Sequence, residues 1–130
     1  MKKISQEWLN AAKDDLDAID ELIDNESLTN IAAFHAQQSI EKSLKAIIEE
    51  YNLNFIKTHK LMMLFNSVEN VIDLNIDEET ILKLDSLYIE SRYPSSLGLL
   101  PNGKPSIQEL KTFQKVSQKV YKAVKKQFKK

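Results

Sequence analysis

The sequence predicts an all-α domain, an up-and-down four-helix bundle with one short additional helix. Three observations predict it. The chain holds only two glycines and three prolines among 130 residues, and all five lie between Pro94 and Pro105, so the tight turns of a β fold have no material elsewhere. Apolar residues recur at spacings of three and four through four long stretches, the helical period. Charged residues make up 28% of the chain, enough to solvate the outer faces of such helices. At this length residues 1–130 form one domain that buries roughly two thirds of its unfolded surface.

The elements follow in order. Helix one runs from about Ser5, read as its N-cap, to Asn25, with Trp8, Ala12, Leu16, Ile19 and Ile23 as its core stripe. Asn25-Glu26-Ser27 makes the turn. Helix two runs from about Leu28 to Tyr51, with Ala33, Ile40, Leu44, Ile47 and Tyr51 on one stripe, and Asn52-Leu53-Asn54 ends it. Thr58 reads as the cap of a short third helix from Leu61 to about Ile72. Asp77-Glu78-Glu79 puts acids at the positive end of a fourth helix, which reaches Arg92 and stops before Pro94, because the residue preceding a proline avoids the helical region. Pro94 to Pro105 is the one substantial loop. Ser106 is the expected N-cap of the last helix, which runs to about Phe128 with Phe113, Val116, Val120 and Val124 inward.

Helix two carries more than an apolar stripe. Nearly opposite that stripe His35, Gln38, Lys42 and Lys45 form a second row of hydrogen-bonding groups. Gln37 and Glu41 lie one turn apart on the flank of the stripe, where polar groups need partners if they are covered. A helix with this much organised polarity is either wrapped on several sides or faces a ligand.

The net charge of −1 conceals an asymmetry. Residues 1–27 carry three lysines against eight acids, a net −5, and residues 104–130 carry nine lysines against Glu109, a net +8. Two readings stand: complementary helices packed side by side, each exposed pair contributing little, or a basic helix that attracts phosphates. The basic helix contains no arginine, the better phosphate fork.

Several classes fall away. Without cysteine the chain makes no disulfide, uses no catalytic thiolate and lacks most structural zinc ligand sets. Gly98 and Gly103 sit in a loop without the strand-to-helix context of a phosphate loop. His35 and His59 lack a metal-ligand spacing, and no metal or cofactor is expected. The N-terminus lacks the apolar run of a signal peptide, and no segment approaches the roughly 20 apolar residues of a membrane span, so a cytoplasmic protein without membrane contact is expected. Arg92 is the single arginine among 18 basic residues. It closes helix four, with Asp85, Tyr88 and Arg92 on one face. It is either a cation paired with the helix C-terminus or a planar donor that forks a phosphate beside a stacking Tyr93.

Together these residues resemble a known family. Trp8, Ala12 and Asp15-Leu16, then Phe34-His35-Ala36-Gln37-Gln38 with Glu41-Lys42-Ser43-Leu44-Lys45-Ala46, then Thr58-His59-Lys60-Leu61, then Tyr88 with Ser91-Arg92-Tyr93-Pro94, and finally Pro105-Ser106 resemble the HEPN domain (higher eukaryotes and prokaryotes nucleotide-binding) in the right order over nearly the whole chain. The resemblance implies a homodimer, often encoded beside a minimal nucleotidyltransferase in a toxin–antitoxin pair, and binding of a nucleotide such as ATP or GTP. Ribonucleases of that family carry a histidine one to two turns after the arginine on the same helix. Here Pro94 follows Arg92 by two residues and no histidine occurs after His59, which leaves that position without the usual proton-exchanging group.

The expectation is therefore a dimeric nucleotide-binding or nucleotidyltransferase-partner module. Its ligand-binding residues would be His35, Gln38, Glu41, Lys42, Lys45, Arg92 and Tyr93. A metal-independent RNA-cleaving toxin is the alternative, with RNA as its partner. The dimer expectation rests on the second polar face of helix two and on Leu97, Leu99 and Leu100, which exceed what one small bundle covers.

Overall fold

The computed structural model describes residues 1–92 and 104–129, with the turn at 88–92 described by its backbone alone. Within them the chain forms α1 (Lys3–Leu22), a 3-10 turn (Glu26–Leu28), α2 (Thr29–Glu50), α3 (Leu61–Val68), α4 (Glu78–Arg92) and α5 (Ile107–Gln127). The described residues contain no strand.

Cross-helix bonds give the topology. Lys2 meets Glu50 and Ser39 meets Ala12, so α1 and α2 are antiparallel. Lys104 reaches Ser27 near the start of α2 and Gln127 reaches Tyr51 at its end, so α5 runs parallel to α2. Lys83 near the start of α4 pairs with Glu109, while Lys119 further along α5 meets Asn75, just ahead of α4. Thus α4 runs against both α5 and α2, the up-and-down order expected, with α3 as the short extra helix.

Helix α2 is the axis of the bundle. It packs against α1, the 3-10 turn, α3, α4 and α5. Ala32, Ala33, Ala36, Ile40, Leu44, Ala46, Ile47 and Ile48 are buried along it, and the Ser39 hydroxyl donates to the carbonyl of buried Ala12 on α1 at 3.0 Å, so these two backbones approach closely. The core closes with Leu9, Leu16 and Ile19 of α1, Leu61 and Leu64 of α3, Ile81 and Leu84 of α4, and Phe113, Val120 and Val124 of α5. No described helix is long and apolar enough to cross a membrane.

Four local expectations need correction. Ser5 is not the N-cap: α1 begins at Lys3 with Lys2 in the capping position, because the Lys2 backbone N–H donates to Glu50 at 2.8 Å and its ammonium donates to the Glu49 carbonyl. That tie carries the helix past Ser5, which is buried inside it. Tyr51 leaves the apolar stripe. It is 39% exposed because Asn52 takes a left-handed φ of 54°. Leu53 N–H then bonds back to Ile48 and Asn52 N–H to Glu49, a Schellman ending. Thr58 ties the loop rather than capping α3: its hydroxyl accepts from the Lys60 N–H, and the free Leu61 N–H donates instead to Asp85 of α4 at 2.8 Å. Helix α3 ends at Val68, short of Ile72, because the N–H groups of Val71 and Ile72 both turn back to the Val68 carbonyl. Ser106 does cap α5, in a full capping box with Glu109. Trp8, Ile23 and Val116 are half-buried at the edges of their stripes.

Candidate functional site

Two buried carboxylates organise the polar side of α2. Asp15 of α1 and Glu41 of α2 are 7% and 4% exposed, and a charge so covered needs partners. Asp15 has two: His35 Nδ1–H donates to one oxygen at 2.8 Å and Lys42 Nζ to the other at 2.8 Å. Glu41 has Lys45 Nζ one turn on at 2.9 Å and His59 Nδ1–H from the loop before α3 at 3.0 Å. Each carboxylate thus holds one lysine and one histidine. Helical spacing explains the pattern, since Glu41 and Lys45 stand at i and i+4. His35 and Lys42 are seven residues apart, on one face two turns long, and that face looks at Asp15.

Gln37 extends the Glu41 cluster. It is fully buried, and its amide nitrogen donates to the His59 carbonyl at 2.9 Å and to Glu41 at 3.3 Å, while its oxygen accepts from Gln38 at 2.8 Å. The loop before α3 is therefore pinned to α2 through both backbone and side chain of His59. The Lys45 ammonium also lies 5.2 Å from the centre of the Trp8 ring, a cation–π contact that ties the cluster to α1. Asp85 joins the group from α4. Burial holds its carboxyl above its ordinary value of 3.8, against the lowering effect of the N–H groups of Leu61 and Met62 and of Lys60, and nearby Glu41 adds to the rise.

The structure thus gathers these residues into two bonded clusters, His35 and Lys42 on Asp15, and Gln38 and Lys45 with Gln37, Glu41 and His59. Both readings of the polar face of α2 find support: the carboxylates Asp15 and Glu41 are covered, while the side chains of His35, Lys42 and His59 are 29%, 25% and 53% exposed. Leu97, Leu99, Leu100 and Tyr93 lie outside the described residues, as does the Arg92 side chain. The residues missed by sequence reasoning are Asp15, Gln37 and His59. Gln37 carried a signal, since a polar group flanking an apolar stripe has to be partnered. Asp15 carried none, because its partners lie 20 and 27 residues away. Among the described residues no group of histidines and acids forms a metal-binding set.

The charge asymmetry resolves differently from simple pairing of α1 with α5. Their described polar link is Gln114 with Asp20 at 2.8 Å, while the Lys13–Asp17 ion pair stays within α1 and Lys83–Glu109 joins α4 to α5.

The family model of the HEPN domain matches residues 5–127. No curated protein matches the sequence. Among solved structures, the crystal structure of TT1696 from Thermus thermophilus shares the fold, with a TM-score of 0.78 at 23% identity over 97% of this chain and 99% of that one.

Proposed function

This chain belongs to the HEPN domain family, and from that premise we propose that it is a homodimeric nucleotide-binding module, the helical partner of a minimal nucleotidyltransferase in a toxin–antitoxin-type pair. The observation that supports binding is the convergence of His35, Gln38, Lys42, Lys45 and His59 on one side of α2, each oriented by a buried partner. Preorganised donors lose little freedom when a ligand arrives.

Charge divides the labour. Lys42 and Lys45 are each offset by a carboxylate at 2.8 and 2.9 Å, so the α2 cluster offers hydrogen bonds with little net attraction for a phosphate. The attraction falls to Arg92. Helix α4 runs against α2, and the Arg92 backbone stands two turns, about 10 Å, beyond Asp85, toward the first turns of α2 that carry His35 and Gln38. A guanidinium there forks a phosphate, Tyr93 stacks on the base, and the Asp15 and Glu41 clusters hold the wall in shape. Calorimetric titration of the isolated protein with ATP and with GTP tests this. Saturable binding of one of them, one molecule per protomer, is the expected result; no binding of either at millimolar nucleotide contradicts it.

RNA cleavage is a second reading with one observation behind it. His59 is 53% exposed in its side chain while its Nδ1 is held by Glu41, an oriented imidazole whose outer edge is open to a substrate. Cleavage of RNA by the wild type that disappears in His59→Ala supports that reading; intact RNA with the wild type ends it.

A further inference from the structure

The outer face of α5 has no role in the function proposed above. Lys111, Lys115, Lys119, Lys122, Lys126 and Lys129 follow one another at steps of four, four, three, four and three residues, so the first five stand in one row along the helix and Lys129 continues it in the turn past its end. All six are exposed. At 1.5 Å per residue the row is about 27 Å long. The opposite side of the same helix buries Leu110, Phe113, Ser117, Val120 and Val124, so the bundle fixes the row outward, away from α2.

Little within the chain neutralises it. The one acid of α5, Glu109, is committed to Lys83 and to the Ser106 cap, which together hold its carboxyl below its ordinary value. Lys119 meets only a carbonyl, that of Asn75, and among the described residues no ion pair reaches any lysine of the row. On the neighbouring α1 the exposed acid Asp20 bonds to Gln114 of α5, with exposed Asp17 one turn before it, and these discourage a polyanion from spreading off α5 toward α1.

We propose that this lysine row binds the phosphate backbone of a nucleic acid, independently of base sequence. The chemistry of the face selects that occupant. The other exposed side chains of α5 are Gln108, Thr112 and Lys125, with Gln118 partly exposed. A protein partner gains most of its affinity from buried aromatic or apolar anchors, and none of the exposed side chains of α5 is aromatic or apolar. A phosphate backbone needs only cations and donors placed along its length, and it gains affinity by releasing counterions. Lysine without arginine suits contact with the backbone rather than bidentate reading of bases. This site is separate from the α2–α4 nucleotide corner, and each can fail without the other.

The test is fluorescence anisotropy of the full chain with a labelled 20-nucleotide oligouridylate and, in a parallel arm, a labelled 20-base-pair duplex, from 25 to 200 mM KCl. If all six lysines meet phosphates, the single-stranded arm falls in affinity with a log–log salt slope near about −4, and the duplex arm near about −5. The triple variant Lys115→Gln/Lys122→Gln/Lys126→Gln, exposed positions that leave the core untouched, should reduce the slope by about 2 in the single-stranded arm and about 3 in the duplex arm, and weaken binding at least about tenfold at low salt. Its melting temperature and its ATP titration should stay as in the wild type. The arm that binds more tightly identifies the form of nucleic acid. Absence of binding in both arms at 25 mM KCl overturns the proposal, as does unchanged affinity of the triple variant. Displacement by polyglutamate as effective as by unlabelled oligouridylate also overturns it, in favour of an acidic protein partner.

Discussion

The imidazole of His59 donates from Nδ1 to the carboxylate of Glu41 at 3.0 Å, across the loop that joins α2 to α3. That one bond fastens a connection without regular structure to the most buried helix of the bundle. Glu41 is covered and also carries Lys45, so its removal leaves an ammonium that is only 15% exposed without its counter-charge. Glu41→Gln should cost about 1–3 kcal/mol, the range for losing a hydrogen bond to a charged group. Lys13→Met removes an ion pair whose members are 51% and 56% exposed and should change stability by much less than Glu41→Gln does. Urea denaturation of both variants checks the contrast; equal losses would mean that the Glu41 network contributes no more than a surface pair.

Asp85 serves α3 from another helix, accepting the N–H of Leu61, and pays for its burial with a raised pKa. The folded protein therefore holds the Asp85 proton more tightly than the unfolded chain does. The sign follows: this group's contribution falls as pH rises from its ordinary 3.8 through the folded value, and the deficit is fully present at neutral pH. Asp85→Asn keeps an acceptor and removes the buried charge, so it should abolish that part of the pH dependence without loss of stability at pH 7. Asp85→Ala removes the acceptor as well and should cost about 1 kcal/mol. Thermal melts of both variants from pH 3.5 to 7 decide it, and identical behaviour of the two would contradict the capping role.

Ser106 and Glu109 satisfy each other's backbone N–H at 3.0 and 3.1 Å. Ser106→Ala should lower stability by about 0.5–2 kcal/mol. Because the Glu109 carboxyl is held below its ordinary 4.5, chiefly by Lys83 and then by the Ser106 N–H, its stabilisation is present above that value and is lost as pH falls through the depressed one. Glu109→Gln should therefore flatten the acid limb of the stability curve, measured by melting temperature between pH 2.5 and 5.

The homodimer is expected in solution at tens of micromolar, the assembly that HEPN-family resemblance implies. Multi-angle light scattering should return twice the chain mass; a monomer at that concentration removes the dimer from the proposal.

The bundle was legible because four stretches keep the helical period, and wherever local chemistry also decides the outcome the reading held: Ser106 caps α5, and the chain turns at Asn25 and Asn52. It failed where a distant contact outweighed a local preference. Serine is a good N-cap, but Lys2 bonds to Glu50, 48 residues away, and the helix starts earlier. Threonine is another, but the N–H it was expected to satisfy is taken by Asp85, 24 residues on from Leu61. In the site, Gln37 and Glu41 were legible as groups in need of partners, because burial of a polar flank implies one. Which partners they have depended on how α3 folds back against α2, and no local spacing encodes that. The polar row of α2 read as either wrapped or facing a ligand, and helical spacing alone does not choose between them. Asp15 orients His35 and Lys42 by offering a buried counter-charge from α1.

The central claim, that phosphate is held at the Arg92 corner and oriented by the α2 cluster, is tested most directly by titrating ATP into three proteins at physiological salt. These are the wild type, Arg92→Lys, and the double variant Lys122→Gln/Lys126→Gln. A guanidinium makes two charge-assisted bonds to one phosphate, while the α5 lysines are exposed and screened. Arg92→Lys keeps the charge and loses the fork, so it should weaken binding by about 1–3 kcal/mol, while the lysine pair should bind ATP as the wild type does. Equal loss in both variants, or loss confined to the lysine pair, would contradict the claim and assign the phosphate to α5.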